Sequence, residues 1–319
     1  MMTVSLPTTV DTEKEGVRIK LRPVRTMEVF HIGRSWPPVK PKSSAMLPFS
    51  DLALCRRFEQ TEGHACAQYA TARQKLFPDS GSEWIRCAGT YAVFDGVHSP
   101  VTQTFGLGVF SPVTPVILDT IEKFFRDRQA EVCHEVAPFA GVEALDLLCR
   151  RNYRPAELSS VLYKRVEQPG RELAPHIQTR IAGSNELQVW ADVSARGWAS
   201  EHPELVVFLR ELGSITSIAQ GYLPFLAELD GEPAAAGGLF IYEGVALFAG
   251  AATAPEFRRR GLQGALLQSR TRYALEKGCD LAMMVAAPGS DSQRNAERKG
   301  FQVAYTRTKW KLYEAPENP

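Results

Sequence analysis

Three consecutive cations, Arg258, Arg259 and Arg260, stand before Gly261 and a stretch with helical spacing, in which Leu262, Ala265, Leu266, Ser269 and Tyr273 recur at three- and four-residue steps. The N-terminal end of a helix is already the positive end of its macrodipole, so each exposed cation there costs roughly 0.3–1 kcal/mol. No acid follows in the first turn to offset it. A bound polyanion removes the conflict. The free N–H groups of the first turn, the dipole and the arginines would then converge on phosphate oxygens, with Gly261 and Gly264 letting the main chain approach closely. The chemistry implied is diphosphate binding. A Walker A loop needs G-K-[ST], and "GLQGAL" has no lysine there. A dinucleotide fingerprint needs G-x-G-x-x-G with an acid ending the next strand, whereas Asp280 begins it.

The surrounding pattern supplies elements to hold this turn. After a polar boundary from Arg165 to His176 that contains Pro169, Gly170 and Pro175, the alternation of "IQTRIA" predicts a strand. Helices follow around Glu186–Arg196 and Pro203–Leu212. "YLPFLAEL" and "PAAAGGLFIY" flank a "DGE" hairpin turn, and "VALFAGAAT" runs into the arginines. A helix from Gly261 to about Lys277, the strand "LAMMVAA", the short helix "SQRNAERKG" and the strand "FQVAYTRTKWKLY" complete an α/β order with a crossover helix between neighbouring strands. The first half repeats the end of this order: Pro138 falls opposite Pro288, and Asn152-Tyr153 opposite Gly300-Phe301. Upstream of that repeat, "GTYAVFDGVHSPVTQTFGLGV" reads as a strand pair.

Composition is consistent with two ordinary globular domains in 319 residues, 44% of them hydrophobic. Lys+Arg at 37 against Asp+Glu at 36 leaves a net charge of +1, so no whole-molecule field draws the chain to nucleic acid or to a membrane surface. The N-terminus is too polar for a secretory signal and no apolar run approaches the span of a bilayer; a cytoplasmic location is the expectation. The six cysteines form no C-x-x-C pair, so reduced thiols are expected in place of a zinc site or disulfides. "SWPPVKPKSS", Ser35 to Ser44, reads as a proline-rich connector.

"ATAPEFRRRGLQGALL" resembles the acetyl-CoA-binding motif of the GNAT superfamily of N-acyltransferases, in which the fourth strand ends in a V-x-P-like turn and [QR]-x-x-G-x-[GA] opens a helix. Arg258 and Gly261 match its first and fourth positions, Gln263 stands at the sixth, and Gly264 comes one residue late. "SQRNAERKGF" resembles the family's later segment, with Ser292, Arg294, Glu297, Gly300 and Phe301 in step. The resemblance implies an α/β fold of two tandem GNAT-like domains, each a mixed, mainly antiparallel sheet flanked by helices. Residues 1–168 would form a degenerate domain without a phosphate loop, and 176–319 the domain that binds acetyl-CoA. It further implies that the main chain of Ala251, Ala252 and Thr253 pairs with the pantetheine arm, that Arg258, Arg259, Arg260, Gly261, Leu262, Gln263 and Gly264 hold the pyrophosphate, and that Ser292 lies near the pantetheine. Gly289 stands where the family commonly has Asn.

The activity implied is transfer of an acetyl group from acetyl-CoA to an amine, which must attack as the neutral form. A lysine-like amine of pKa about 10.4 is neutral in only about one part in a thousand at pH 7. The family's acid, a Tyr four residues before the G-F glycine, is replaced by Ala296, and the fourth strand carries no carboxylate. Tyr305 as acid and Glu228 as base are the catalytic candidates that remain, with Tyr242 and Glu243 beside the expected acceptor cleft. A thiolate of pKa about 8.5 needs little acid help, so proximity and main-chain N–H stabilisation suffice for a working site. The missing pair also motivates a second reading, a non-catalytic acyl-CoA-binding protein. In the first half, "GLGVFSPVTPVILD" carries Pro112 and Pro115 and no arginine, which predicts no CoA binding there. His134-Glu135 is not H-E-x-x-H, and no metal is expected.

Overall fold

The alternating strands close into a single mixed sheet of eleven. The structure, a computed structural model, describes residues 47–168, 173–199, 203, 206–216 and 218–313. The proline-rich connector and part of the expected boundary lie outside the described residues. In chain order the elements are α1 (Leu52–Leu76), β1 (Glu83–Cys87), β2 (Thr90–Phe94), β3 (Gln103–Phe105), α2 (Pro115–Arg126), β4 (Cys133–Val136), α3 (Val142–Arg150) and β5 (Tyr153–Arg165). The second half follows with β6 (Ile177–Ile181), α4 (Leu187–Trp198), α5 (Val206–Thr216), β7 (Tyr222–Leu229), β8 (Glu232–Tyr242), β9 (Val245–Thr253), α6 (Leu262–Glu276), β10 (Leu281–Ala286), α7 (Asp291–Glu297) and β11 (Gln302–Leu312).

From β1 to β5 and from β7 to β11 the halves run through the same order, three strands, helix, strand, helix, strand. The correspondence reaches single residues: Asn152 and Gly300, each just before the last strand of its half, both take a left-handed backbone, at φ 66° and 86°. Yet the halves do not close separately. The spatial order is β1-β2-β3-β4-β11-β5-β10-β9-β8-β7-β6, so the last strand of each half sits beside the penultimate strand of the other. β5 pairs antiparallel with both β10 and β11, and β11 with β4. Every ladder bond at this seam joins one half to the other.

Period-two alternation sends neighbouring residues to opposite faces. On β9, Ala246 and Phe248 pack with Leu262, Ala265 and Leu266 of α6, while Val245 and Leu247 pack with Leu54, Cys55 and Phe58 of α1. Helix α1 was not among the sequence-based expectations. It crosses one face of the sheet and contacts strands of both halves: Ala67 and Ala70 meet Tyr91, Val93 and Phe105, and Tyr69 and Ala72 meet Trp190, Leu212 and Leu226. Its buried residues lie on all sides instead of in one stripe, which removes the amphipathic signal that identifies a helix lying on a surface.

Candidate phosphate loop and acyl site

The ladder between β9 and β10 is parallel and short. It pairs Leu281 with Val245, Ala282 with Ala246 and Met283 with Leu247, after which β9 continues to Thr253 and β10 to Ala286 with no further partners in register. The two strands therefore splay apart and leave main-chain groups of β9 without a neighbour on that edge. On its other edge β9 carries a bulge. Ala236 pairs with Ala252 and Gly238 with Ala249, so Gly250 and Ala251 together oppose Gly237. Gly250 takes φ 57° to make this turn.

Beyond the splay the chain makes one 3₁₀ turn over Pro255–Phe257 and enters α6 through Arg258 to Gly261. Arg259 and Gly261 are both left-handed, at φ 63° and 88°. Alternation of this kind curls successive N–H groups toward one side, the geometry of an anion nest. Gly261 supplies no side-chain cap and the first turn has no acid. Three other helices are capped by side chains, Asp51 accepting from the Leu54 N–H at 2.9 Å, Thr114 from the Ile117 N–H at 3.3 Å and Ser290 from the Gln293 N–H at 3.2 Å, whereas α3 and α4, like α6, start without one. Helix α6 differs from these in combining the open start with two left-handed residues at the end of the splayed strand.

The side chains of the loop divide into two groups. Arg258 turns back, donating to the carbonyls of Gly197 at 2.9 Å and Thr253 at 3.4 Å. The Gln263 amide donates to the Thr253 hydroxyl at 3.0 Å. Arg258, Gln263 and Thr253 thus brace the end of β9 against α4 and α6, which differs from the expectation that all three arginines converge on one ligand. Arg259 and Arg260 are exposed. Ser292 is exposed on α7, whose Ser290 cap is matched by a Gly289 N–H to Gln293 Oε1 bond of 3.0 Å. Ala296 is buried, so the position read as lacking the family's tyrosine faces the core.

The two catalytic candidates from sequence do not meet. Glu228, on β7, accepts from Arg180 at 2.6 and 3.1 Å, and the same guanidinium reaches Glu186. Tyr305, on β11, is buried, and its hydroxyl donates to Glu59 of α1 at 2.8 Å. Tyr242 accepts from Gln60 at 3.2 Å and stacks on His64, while Glu243 lies in the β8–β9 turn with φ 43°.

Glu59 anchors a charge cluster at the seam. Its second oxygen accepts the Gly106 N–H at 3.1 Å, and Arg307 lies between Glu62 at 2.7 Å, Glu135 at 3.4 Å and Glu59 at 3.5 Å. One guanidinium shared by three carboxylates leaves excess negative charge. Burial, opposed by Arg307 and reinforced by Glu62, pushes the Glu59 carboxyl up to about 7. A carboxyl raised on folding favours the native state below its unfolded pKa, and that stability is lost as pH climbs through the folded value. We expect the free energy of unfolding to decline between pH 4.5 and 7 by on the order of 2–3 kcal/mol from this group. Urea titrations of wild type and Glu59→Gln across that range should show the variant with a flatter pH profile; parallel profiles would contradict this assignment.

Two residues absent from the sequence reading flank the bulge. Tyr222, at the start of β7, leans over Gly238, where an added Cβ would lie only 2.4 Å from the phenol oxygen. No hydrogen-bond partner for that hydroxyl exists among the described residues. Burial and nearby Cys66 push its pKa up to about 12, Arg270 pulling the other way, so it stays a proton donor at neutral pH. Arg270, from α6, lies under the same point on the opposite face, donating to the Gly238 carbonyl at 2.9 Å. Neither is visible as a motif, because each gains its place from strand pairing two elements away.

Among the described residues, the corresponding helix start in the first half is closed. Thr114 caps α2 by accepting the Ile117 N–H at 3.3 Å, and Pro115 occupies the first helical position. A cavity of about 420 Å³ lies beside it, lined by Leu52, Arg56, Gly108, Val109, Phe110 and Pro112 among others. His134 is bonded to Thr104 at 2.8 Å and Tyr153 at 3.0 Å, and burial lowers it to about 3. No cluster of metal-ligand side chains exists among the described residues. No helix among them is long and apolar enough to cross a membrane.

A splayed and bulged strand thus leads into a helix whose start has no side-chain cap. Residues 187–301 match the model of the Acetyltransferase (GNAT) family. The fold is that of a GCN5-related N-acetyltransferase from Kribbella flavida (18% identity, 78% of this chain and 96% of that one, TM-score 0.56). It is also similar to a tandem GNAT protein from the clavulanic acid biosynthesis pathway (11% identity, 71% of this chain and 79% of that one, TM-score 0.52). A functionally unknown conserved protein from Staphylococcus epidermidis ATCC 12228 shares it as well (7% identity, 76% and 98% coverage, TM-score 0.54). No curated protein matches the chain.

Proposed function

We propose that the protein is an N-acyltransferase that moves an acetyl group from acetyl-CoA to a primary amine of a small acceptor, by direct attack in a ternary complex. The observation that carries this reading is the uncapped start of α6, with left-handed Arg259 and Gly261, placed at the end of the splayed strand β9. The main chain from Arg259 to Gly264 binds the pyrophosphate, and Arg259 and Arg260 supply long-range attraction. The exposed edge from Ala251 to Thr253 accepts the pantetheine as an added strand, with Ser292 alongside. The bulge at Gly250 and Ala251 presents N–H groups to the thioester oxygen, where negative charge develops as the amine attacks.

With Glu228 and Tyr305 held in other contacts, Tyr222 is the side chain suited to donate a hydrogen bond to the departing thiolate. In a steady-state assay with acetyl-CoA and a broad panel of amines, CoA release should depend on an acceptor. Tyr222→Phe should lower kcat about 10²-fold while leaving KM for acetyl-CoA nearly unchanged. The replacement of the usual tyrosine by Ala296 favours one competing reading, a non-catalytic acyl-CoA-binding protein. Tight binding of acetyl-CoA with no turnover for any acceptor would establish that alternative. We further propose that residues 1–168 and 176–319 are related halves, the first supporting the second through the exchanged strands without binding CoA.

A further inference from the structure

Arg270 is a buried cation without a carboxylate partner among the described residues. Only 3% exposed, it projects from the middle of α6 toward the sheet. Its Nη1 donates to the carbonyl of Gly238 at 2.9 Å and to that of Ala249 at 3.5 Å, and its Nε to Leu266 of its own helix at 3.2 Å. The guanidinium lies 4.9 Å from the centre of the Phe248 ring. A side chain at Gly237 would crowd the guanidinium, since an added Cβ would stand 3.2 Å from it.

Such a group is an uneconomical way to fill a core. Enclosing a charge is costly unless it is paired, and a methionine or leucine of similar volume generally serves stability as well or better. Three carbonyls accept from its Nε and Nη1 but do not neutralise the charge. Its location is informative: the Gly238–Ala249 pair is the last in register before the bulge formed by Gly250 and Ala251. The carbonyl of Ala249 and the N–H of Gly250 belong to one peptide group. A cation on the oxygen end of that group draws electron density from it and makes the nitrogen end a stronger donor.

Accepting the acyltransferase reading, on which this inference rests, we propose that Arg270 is a positioning residue for acyl transfer: through the Ala249–Gly250 peptide it strengthens the bulge N–H that receives the thioester oxygen. The charge sits on the face opposite the ligand, so it acts without touching it. Burial lowers the guanidinium only to about 10, which leaves it charged throughout the neutral range. Tyr222, over Gly238 on the other face, opposes that lowering.

Infrared difference spectra of full-length protein with acetyl-CoA labelled with ¹³C at the thioester carbonyl test this directly. In wild type the bound carbonyl band should move to lower wavenumber than in free acetyl-CoA. Arg270→Met should lose at least half of that displacement while calorimetric affinity for acetyl-CoA stays within about threefold, and Arg270→Lys should restore most of it. Where turnover is measurable, kcat should fall at least tenfold in Arg270→Met with KM little changed. Arg270→Gln keeps a donor for the carbonyls but no charge, and replaces the methionine variant if circular dichroism shows that one unfolded. An undiminished displacement in either neutral variant with normal binding overturns the role of Arg270 alone. Failure of wild type to bind acetyl-CoA overturns the acyltransferase reading and this proposal with it.

Discussion

Gly261→Val is expected to weaken CoA binding at least tenfold while leaving the protein folded. Gly261 holds φ 88°, a conformation in which a β-branched residue is strained by roughly 1–3 kcal/mol. Space is not the obstacle, since an added Cβ would meet only Ile177 Cδ1 at 3.6 Å, an ordinary contact. The backbone therefore relieves the strain by rotating out of the left-handed region and carries the N–H groups of Gly261 and Leu262 away from their common focus. A tenfold loss corresponds to about 1.4 kcal/mol, the lower part of that strain. Isothermal calorimetry with CoA measures the affinity and a thermal melt confirms folding; equal affinity in variant and wild type would remove Gly261 from the site.

The second large effect has opposite signs in the free and bound protein. Arg259 and Arg260 are exposed at the positive end of α6, where acidic residues are favourable by roughly 0.3–1 kcal/mol each. The double variant Arg259→Glu/Arg260→Glu should melt at a higher temperature than wild type in the absence of ligand. Its affinity for CoA should nevertheless fall by about 10–100-fold, because the phosphates then meet like charges, and the loss should shrink at high ionic strength as screening sets in. Arg258 is left in place because its guanidinium braces Gly197 and Thr253. A variant both less stable and unaltered in CoA affinity would show that these cations serve the fold instead of a ligand.

What the sequence revealed and what it concealed follow from how local each signal is. The β7–β8 hairpin was visible because Asp230 and Gly231 both take positive φ, at 52° and 86°, as the turn residues suggested. The uncapped start of α6 was equally legible, since glycines, arginines and missing acids are neighbours in the chain. Helix limits moved by a residue or two where both ends are described: the expected 186–196 became Leu187–Trp198, while Val206–Thr216 is the described part of the helix expected at 203–212. The exchange of β5 and β11 left no trace, because a strand's apolar alternation says which face is buried and nothing about which strand lies beside it.

Side-chain roles were hidden for the same reason. Tyr305 was a reasonable acid until Glu59, 246 positions away in sequence, claimed its hydroxyl. Glu228 was a reasonable base until Arg180 arrived from the neighbouring strand. Arg270 reads in the sequence as one more polar residue of a helix, and only the pairing of Gly238 with Ala249 shows what it sits beneath.

The central claim is that the main chain following β9 holds the linked phosphates of CoA. Backbone amide NMR of the isotope-labelled full-length protein during a CoA titration tests it most directly. The amides of Arg259 to Gly264 should shift strongly and saturate together, while those of Ser111, Val113, Thr114 and Val116 at the start of α2 stay in place. Saturable binding that leaves Arg259 to Gly264 unmoved would contradict the account.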